Sequence, residues 1–321
     1  MSRHIGYLLA LATSLFSVSA FAQSYPARSV TLITGFTVGG AVDLIARTYA
    51  TELSKALGQQ VIVENRPGAG GTVGADFVAK AVPNGYTLLV GGPGPNAIAY
   101  SIYPNLPYDS KAFAPVGIIS ENPNVLAVHP SVPVESVADL VRLAQSKPGQ
   151  LRYGTPGNGS GQHLAAELFK MTMRVDLQHI PYRGVPESNN ALLSGEIEIA
   201  LPPIFNAAAL AKAGRIKALA VTTPQRSPVM PNLPTMQEAG VSGFDQTVWN
   251  ALFAPAGTPP AIIRRLNDAL AVASKSPQLL SKLESLGATP AASTPEQLGE
   301  RVQTEIERWA KVVRATGAKP E

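Results

Sequence analysis

The chain has 321 residues, with 26 Lys and Arg against 22 Asp and Glu, and a formal net charge of +4. The excess is small and spread along the chain, with no basic run and no aromatic–basic interleaving, which argues against a nucleic-acid partner. There is no cysteine, so disulfides and thiol chemistry are excluded.

The chain opens MSRHIGYLLALATSLFSVSAFAQS. Arg3 and His4 precede an apolar run from Ile5 to Phe21, which closes on the small-x-small site Ala20-Phe21-Ala22. This reads as a secretory signal peptide cleaved after Ala22. The run is too short, and too rich in Ser and Thr, for a transmembrane anchor. No cysteine stands at the junction for a lipid anchor. The mature chain would then have 321 − 22 = 299 residues, enough for about two domains. With no second apolar run of membrane length, the expected product is a soluble protein of the Gram-negative periplasm.

Strand-like and helix-like patterns then alternate. VTLITGF (30–36) reads as a buried strand and DLIARTYATELSKAL (43–57) as a helix. QVIVEN (60–65) and YTLLVG (86–91) read as strands around a helix over VGADFVAKAV (73–82). LRYGT (151–155) is followed by a helix over 161–172, then by strands LQHIPY (177–182), EIEIAL (196–201) and IKALAVTT (216–223). WNALFAP (249–255) is a strand, and long helices follow over 260–274 and 295–316. Alternation of this kind predicts an α/β fold with mostly parallel sheets. Without a Pro/Gly-rich linker, two domains imply that the chain crosses between them more than once. The expected division is 23–125 plus 249–321 for one domain and 126–248 for the other. Hinges are expected near 124–130 and 245–250.

Two glycine-rich loops invite a cofactor reading, and neither supports it. A dinucleotide site needs G-x-G-x-x-G at a strand-to-helix turn. GAGGTVG (68–74) spaces its glycines as G-x-G-x-x-x-G, and GNGSGQ (157–162) lacks the last one. No GK[ST] is present for a phosphate-binding loop, and no cofactor is expected. His129, His163 and His179 are spaced by 34 and 16 residues, which makes no metal cluster. Ser160 is flanked by Asn158 and Gln162 and so misses the G-x-S-x-G elbow. A Ser160–His163 pair leaves a periplasmic hydrolase as an alternative, although a serine at a helix start more often caps it.

The remaining reading suits two strand-to-helix loops. GFTVGGAVD (35–43) and TPGNGSGQH (155–163) each follow a strand and open a helix. A helix start presents unpaired N–H groups and a partial positive charge, and glycines let a small anion approach them. Thr37, Thr155, Asn158 and Ser160 add side-chain donors. One such loop on each side of a cleft would grip a carboxylate without an arginine. The alternative is that the glycines serve only turns and caps.

Several stretches together resemble one family, the Bug (Bordetella uptake gene) receptors of tripartite tricarboxylate transporters. They are YPARSVTLITGFTVGGAVDLIAR (25–47), VIVENRPGAGGTVGADFVAKAVPNGYTLLVG (61–91), YGTPGNGSGQHLAAELF (153–169), PYRG (181–184), LAVTTPQRSP (219–228), LPTMQEAGVSGF (233–244) and WNALFAPAGTP (249–259). The resemblance implies a two-domain periplasmic-binding fold that closes on its ligand, and a receptor function without catalysis. It implies that Phe36, Thr37, Gly39, Gly40 and Asp43 on the first loop bind a ligand carboxylate. Thr155, Gly157, Asn158, Gly159, Ser160 and His163 would do so on the second. Phe36 would flank the ligand's carbon skeleton, and Asp43 would order its loop more than touch an anion. The implied partners are membrane permease subunits, with a two-component sensor kinase as the alternative, and the receptor would work as a monomer.

The sequence departs from the family pattern at three places. Gly35 and Thr37 stand where the first loop usually has prolines, which is expected to loosen it and add a hydroxyl donor. Ala191, beside Asn190, stands where the helix after PYRG usually has an aspartate. Pro202 stands where the following strand usually ends in one. Loss of these acids predicts a carboxylate ligand with an apolar or aromatic body in preference to an amino acid.

Overall fold

The structure, a computed structural model, describes residues 25–319. The signal peptide read at 1–22 lies outside the described residues. In chain order the elements are β1 (Val30–Thr34), α1 (Ala41–Leu57), β2 (Val61–Asn65), α2 (Thr72–Ala79) and β3 (Thr87–Gly91). A helical turn over Gly94–Ile98 runs into α3 (Ala99–Ile102), followed by β4 (Phe113–Asn122), β5 (Val125–Val128), α4 (Val137–Ser146) and β6 (Arg152–Thr155). Then come α5 (Gly161–Met173), β7 (Gln178–Pro181), α6 (Val185–Ser194), β8 (Ile199–Ala200), α7 (Ile204–Lys212) and β9 (Lys217–Val221). The chain ends with β10 (Val248–Pro255), α8 (Pro260–Ala273), α9 (Pro277–Ser285), β11 (Thr289–Pro290) and α10 (Pro295–Thr316).

These strands form two sheets, ordered β11-β4-β10-β3-β1-β2 and β7-β6-β8-β5-β9. The chain passes from the first to the second through Pro123 and Asn124, and returns between Val221 and Val248. The expectation of mostly parallel sheets is corrected. β1 pairs in parallel with β2 and β3, and β6 with β7 and β8, but β10 runs antiparallel to β3 and β4, and β5 antiparallel to β8 and β9. The antiparallel pairs fall where the chain changes sheets, because there a strand enters without the right-handed helical crossover that a parallel pair needs.

Alternation along the strands splits each core in two. Leu32 of β1 belongs to one cluster with Ile45, Tyr49 and Leu53 of α1, whereas Ile33 joins Ala75, Val78 and Phe253 on the opposite face. In the second sheet Leu126 and Val128 face α4 and α5 residues such as Leu140 and Phe169, and Val125 and Ala127 face Ala191 and Ile204. α1 stops at Gly58, whose left-handed backbone (φ 70°) accommodates a glycine at no steric cost. α10 opens with a reciprocal capping box between Thr294 and Gln297. It also reaches the second unit, where Trp309, Val312 and Val313 cluster with Leu164 of α5 and Ile98.

Candidate functional site

An internal cavity of about 50 Å³ lies between the two sheets. It is lined from the first unit by Phe36, Thr37, Gly40, Ala41, Val42 and the 91–95 loop. From the second come Pro156, Gly161, Gln162, Val185 and Pro203, and from the two crossings Asn122, Asn124 and Val248–Asn250. Ala41 and Gly161 begin α1 and α5, Val185 begins α6, and Pro203 is the N-cap of α7. Four helix N-termini therefore converge on one space. Among its lining residues none is charged. Positive potential there comes from backbone N–H groups, which suits an anion held without a counter-charge.

The first loop is braced from behind. Asp43 is 1% exposed and does not line the cavity. Its Oδ2 accepts from the Gly39 N–H at 2.9 Å, and its Oδ1 from Arg47 Nε at 3.0 Å and Asn65 Nδ2 at 2.9 Å. Burial pushes its pKa up, but the bonds from Arg47, Gly39 and Asn65 outweigh that and hold it below the usual carboxylate value. Asn65 also donates to the Phe36 carbonyl at 3.0 Å. Gly35 does not loosen the loop, contrary to expectation. A Cβ there would lie 2.4 Å from the Gly71 carbonyl oxygen, so the absence of a side chain lets the loop pack against Gly71. Thr37 reaches across the cleft, its Oγ1 2.5 Å from where a Gly184 Cβ would stand. Gly39, with φ 79°, is exposed and turned away from the cavity.

The second loop is divided between inside and outside. Thr155, Ser160 and His163 are buried beneath it and do not line the cavity. The Ser160 Oγ accepts from the His163 backbone N–H at 3.2 Å, a helix cap. His163 Nδ1 accepts from the Gly159 N–H at 3.2 Å. The Ser160 hydroxyl and the His163 imidazole thus have separate backbone partners, and the hydrolase pairing has no geometric support. The His163 ring stacks on His179 (4.2 Å between centroids), which stacks on Tyr153 (4.8 Å). His179 Nε2 lies 2.7 Å from Thr155 Oγ1. Burial lowers the pKa of His163 to about 4 and that of His179 to about 3, so both rings are neutral near pH 7. Gly157 and Asn158 instead line an outer groove of about 750 Å³, opposite Gly68–Gly71 and Tyr103. Gly159 packs beneath Tyr103.

Of the residues expected at the site, Phe36, Thr37 and Gly40 line the cavity itself. The sequence reading missed Gln162, Asn122, Asn124, Trp249, Asn250 and the 91–95 loop. One signal for that loop was available: GGPGPN (91–96) is another glycine-rich stretch at the end of a strand.

Two sheets joined by two crossings, with a cavity at the ends of the strands between them, define a two-domain solute-binding protein of the periplasmic-binding fold. The chain belongs to the family described as tripartite tricarboxylate transporter family receptor, whose model matches residues 45–318. It is 36% identical over 310 residues to a UPF0065 protein from the tcbD-tcbE intergenic region of Pseudomonas sp. strain P51, covering 96% of this chain and 92% of that one. It is also 36% identical over 311 residues to Protein BugT of Bordetella pertussis, covering 96% and 95%. Among solved structures it resembles R. palustris Rpa4515 with adipate (TM-score 0.87, 38% identity, 92% of this chain and 100% of that one). It also resembles MatC from Rhodopseudomonas palustris with bound malate (TM-score 0.85, 34% identity, 90% and 100%).

Proposed function

We propose that this chain is a periplasmic receptor that captures a small carboxylate between its two domains and presents the closed form to membrane permease subunits, without chemical turnover. The observation that carries the reading is the convergence of four helix N-termini on a cavity with no charged lining residue. An anion there gains from aligned N–H groups, and a cation gains nothing. The family relationship and the acid ligands named for two structural neighbours support the same class.

In this reading the domains divide as 23–125 plus 249–321 and 126–248, and the chain is exported after cleavage behind Ala22. Closure turns on the two crossings, where Asn124 donates its backbone N–H to Thr222 Oγ1 at 3.0 Å and its Nδ2 to Gln246 Oε1 at 3.3 Å. Phe36, Val185, Pro203 and Val248 supply an apolar wall, which favours an apolar or aromatic ligand body over an α-ammonium group. The test is a thermal-shift screen of residues 23–321 against small carboxylates and amino acids. Ligand that binds only the native state raises the melting temperature by mass action. A rise with aspartate alone would refute the preference, and no rise with any acid would refute the receptor reading.

A further inference from the structure

The two crossings between the domains each present one side to the cavity and the other to a groove of about 650 Å³ behind them. Asn124 and Asn250 line the cavity, whereas Glu121, Pro123, Asp245 and Thr247 line the groove. Helix α10 borders that groove through Arg301 and carries a buried carboxylate, Glu305, which is 4% exposed. Its Oε2 accepts from Trp309 Nε1 at 2.6 Å. Its Oε1 faces Arg301 Nε at 3.4 Å and Arg308 Nη1 at 3.6 Å. Arg301 Nη1 also lies 3.8 Å from Oε1 of Glu121, near the end of β4 and just before the first crossing. Arg308 donates to the carbonyl of Asp245, on the returning segment. Resting on the receptor reading above, we propose that Glu305 is a positioning residue for closure: it fixes Arg301 and Arg308 behind the two crossings and so biases the cleft toward its closed form.

The geometry gives this arrangement a direction. Opening a cleft about two crossings brings the domains together on the far side, so the groove must narrow. Two guanidinium groups held against the crossings there oppose that movement. A long arginine side chain restrains nothing unless its own position is fixed, because its rotamers are otherwise free. Burial makes Glu305 a firmer anchor than a surface acid, since its charge is weakly screened and both of its oxygens have partners. The same helix continues to Trp309, Val312 and Val313, which pack on Leu164 of α5. α5 begins at the cavity with Gly161 and Gln162. α10 therefore touches a helix that opens onto the ligand cavity and the two crossings at once.

The experiment reads the cleft without ligand. The chain has no cysteine, so spin labels can be placed on Val82→Cys in the first domain and Asn190→Cys in the second, both exposed positions. Pulsed dipolar spectroscopy of labelled residues 23–321 gives the closed and open populations as a shorter and a longer distance. Glu305→Gln keeps an acceptor for Trp309 and removes the charge that faces the two arginines. It should raise the open population about fivefold, the scale of one partly screened ion pair, with the urea midpoint nearly unchanged. Arg308→Gln should shift the distances the same way, and the two substitutions together should shift them no further than either alone. Arg308→Gln also carries the test if Glu305→Gln fails to fold. Distances that match the parent in both variants, or a lower urea midpoint with no change in distance, would overturn the inference. No ligand enters this measurement, so that outcome is distinct from failure of every acid to raise the melting temperature, which overturns the receptor reading.

Discussion

The hydroxyl of Tyr103 donates to the carbonyl oxygen of Asn158 at 3.0 Å, a bond that spans the mouth of the cleft from the first unit to the second. Beside it Gly70 meets the same segment, since a Cβ at Gly70 would lie 2.5 Å from that carbonyl oxygen. The mouth is thus latched by a hydrogen bond and a glycine that permits close approach. We expect that bond to break when the cleft opens, so Tyr103→Phe should cost the closed form about 1 kcal/mol. Ligand affinity should fall about fivefold by calorimetry, with the melting temperature of the unliganded protein almost unchanged.

Gly70→Ala acts on the same contact by exclusion. The glycine has φ 64°, so an alanine there is strained as well as obstructed. We expect a protein that folds but does not close. Small-angle scattering with saturating ligand should keep the radius of gyration of the unliganded form, and affinity should fall by more than tenfold. Contraction equal to that of the parent protein would show that the latch is not where closure is decided.

Asp43 is a support for the first loop, and its removal should be felt as stability first. It satisfies Gly39, Arg47 and Asn65 at once. Asp43→Ala leaves those donors without their charged acceptor and should cost about 2–3 kcal/mol, measured by urea unfolding. Binding should weaken as a consequence, because Asn65 also positions the Phe36 carbonyl. Asp43→Asn should recover part of both losses.

How much of this could be read in advance follows from the range of each signal. β1 and β3 were legible as short apolar runs, and α1 and α10 from helical apolar spacing with Gly58 ending the first and Thr294 opening the second. β4 was not, because Pro115 and Gly117 interrupt FAPVGIISEN, and its strand character comes from pairing with β10. The two loops were legible as glycine-rich turns that open helices. That Ser160 and His163 lie under the loop, and Gln162 and Asn124 face the cavity, was not. Those placements depend on the helix phase and on a crossing whose Asn124 bonds Thr222, 98 residues further along the chain, which local pattern does not encode.

Ser160→Ala and Thr155→Ala separate capping from ligand contact. Ser160 holds the first turn of α5 and Thr155 lies against His179, and neither lines the cavity. Ser160→Ala should lower stability by about 1 kcal/mol, the usual value of a lost helix cap, and shift the thermal midpoint by a few degrees. Affinity for a carboxylate should change by less than threefold in either variant. A loss of a hundredfold in Ser160→Ala with stability intact would place the hydroxyl on the ligand.

The stacked histidines give the protein an acid limb of stability. Burial depresses His163 to about 4 and His179 to about 3, with Lys170 lowering both and Glu167 partly opposing it at His163. In the unfolded chain both titrate near about 6.5. Between that value and the folded ones the unfolded state binds more protons, so stability rises with pH. The contribution is fully present above about pH 6.5 and is lost as pH falls toward about 4. At roughly 1.4 kcal/mol per pH unit per group, the loss by pH 4.5 is on the order of a few kcal/mol. Asp43 and Glu198, whose pKa values are held below the ordinary range, add to the same slope only at the acid end of this window, where their unfolded carboxyls begin to take up protons. Urea midpoints measured from pH 7 to 4.5 should fall steadily. His163→Gln, whose side chain does not titrate, should flatten part of that fall. A parent profile flat down to pH 4.5 would mean that the two rings are wetter than their stacking under Thr155 implies.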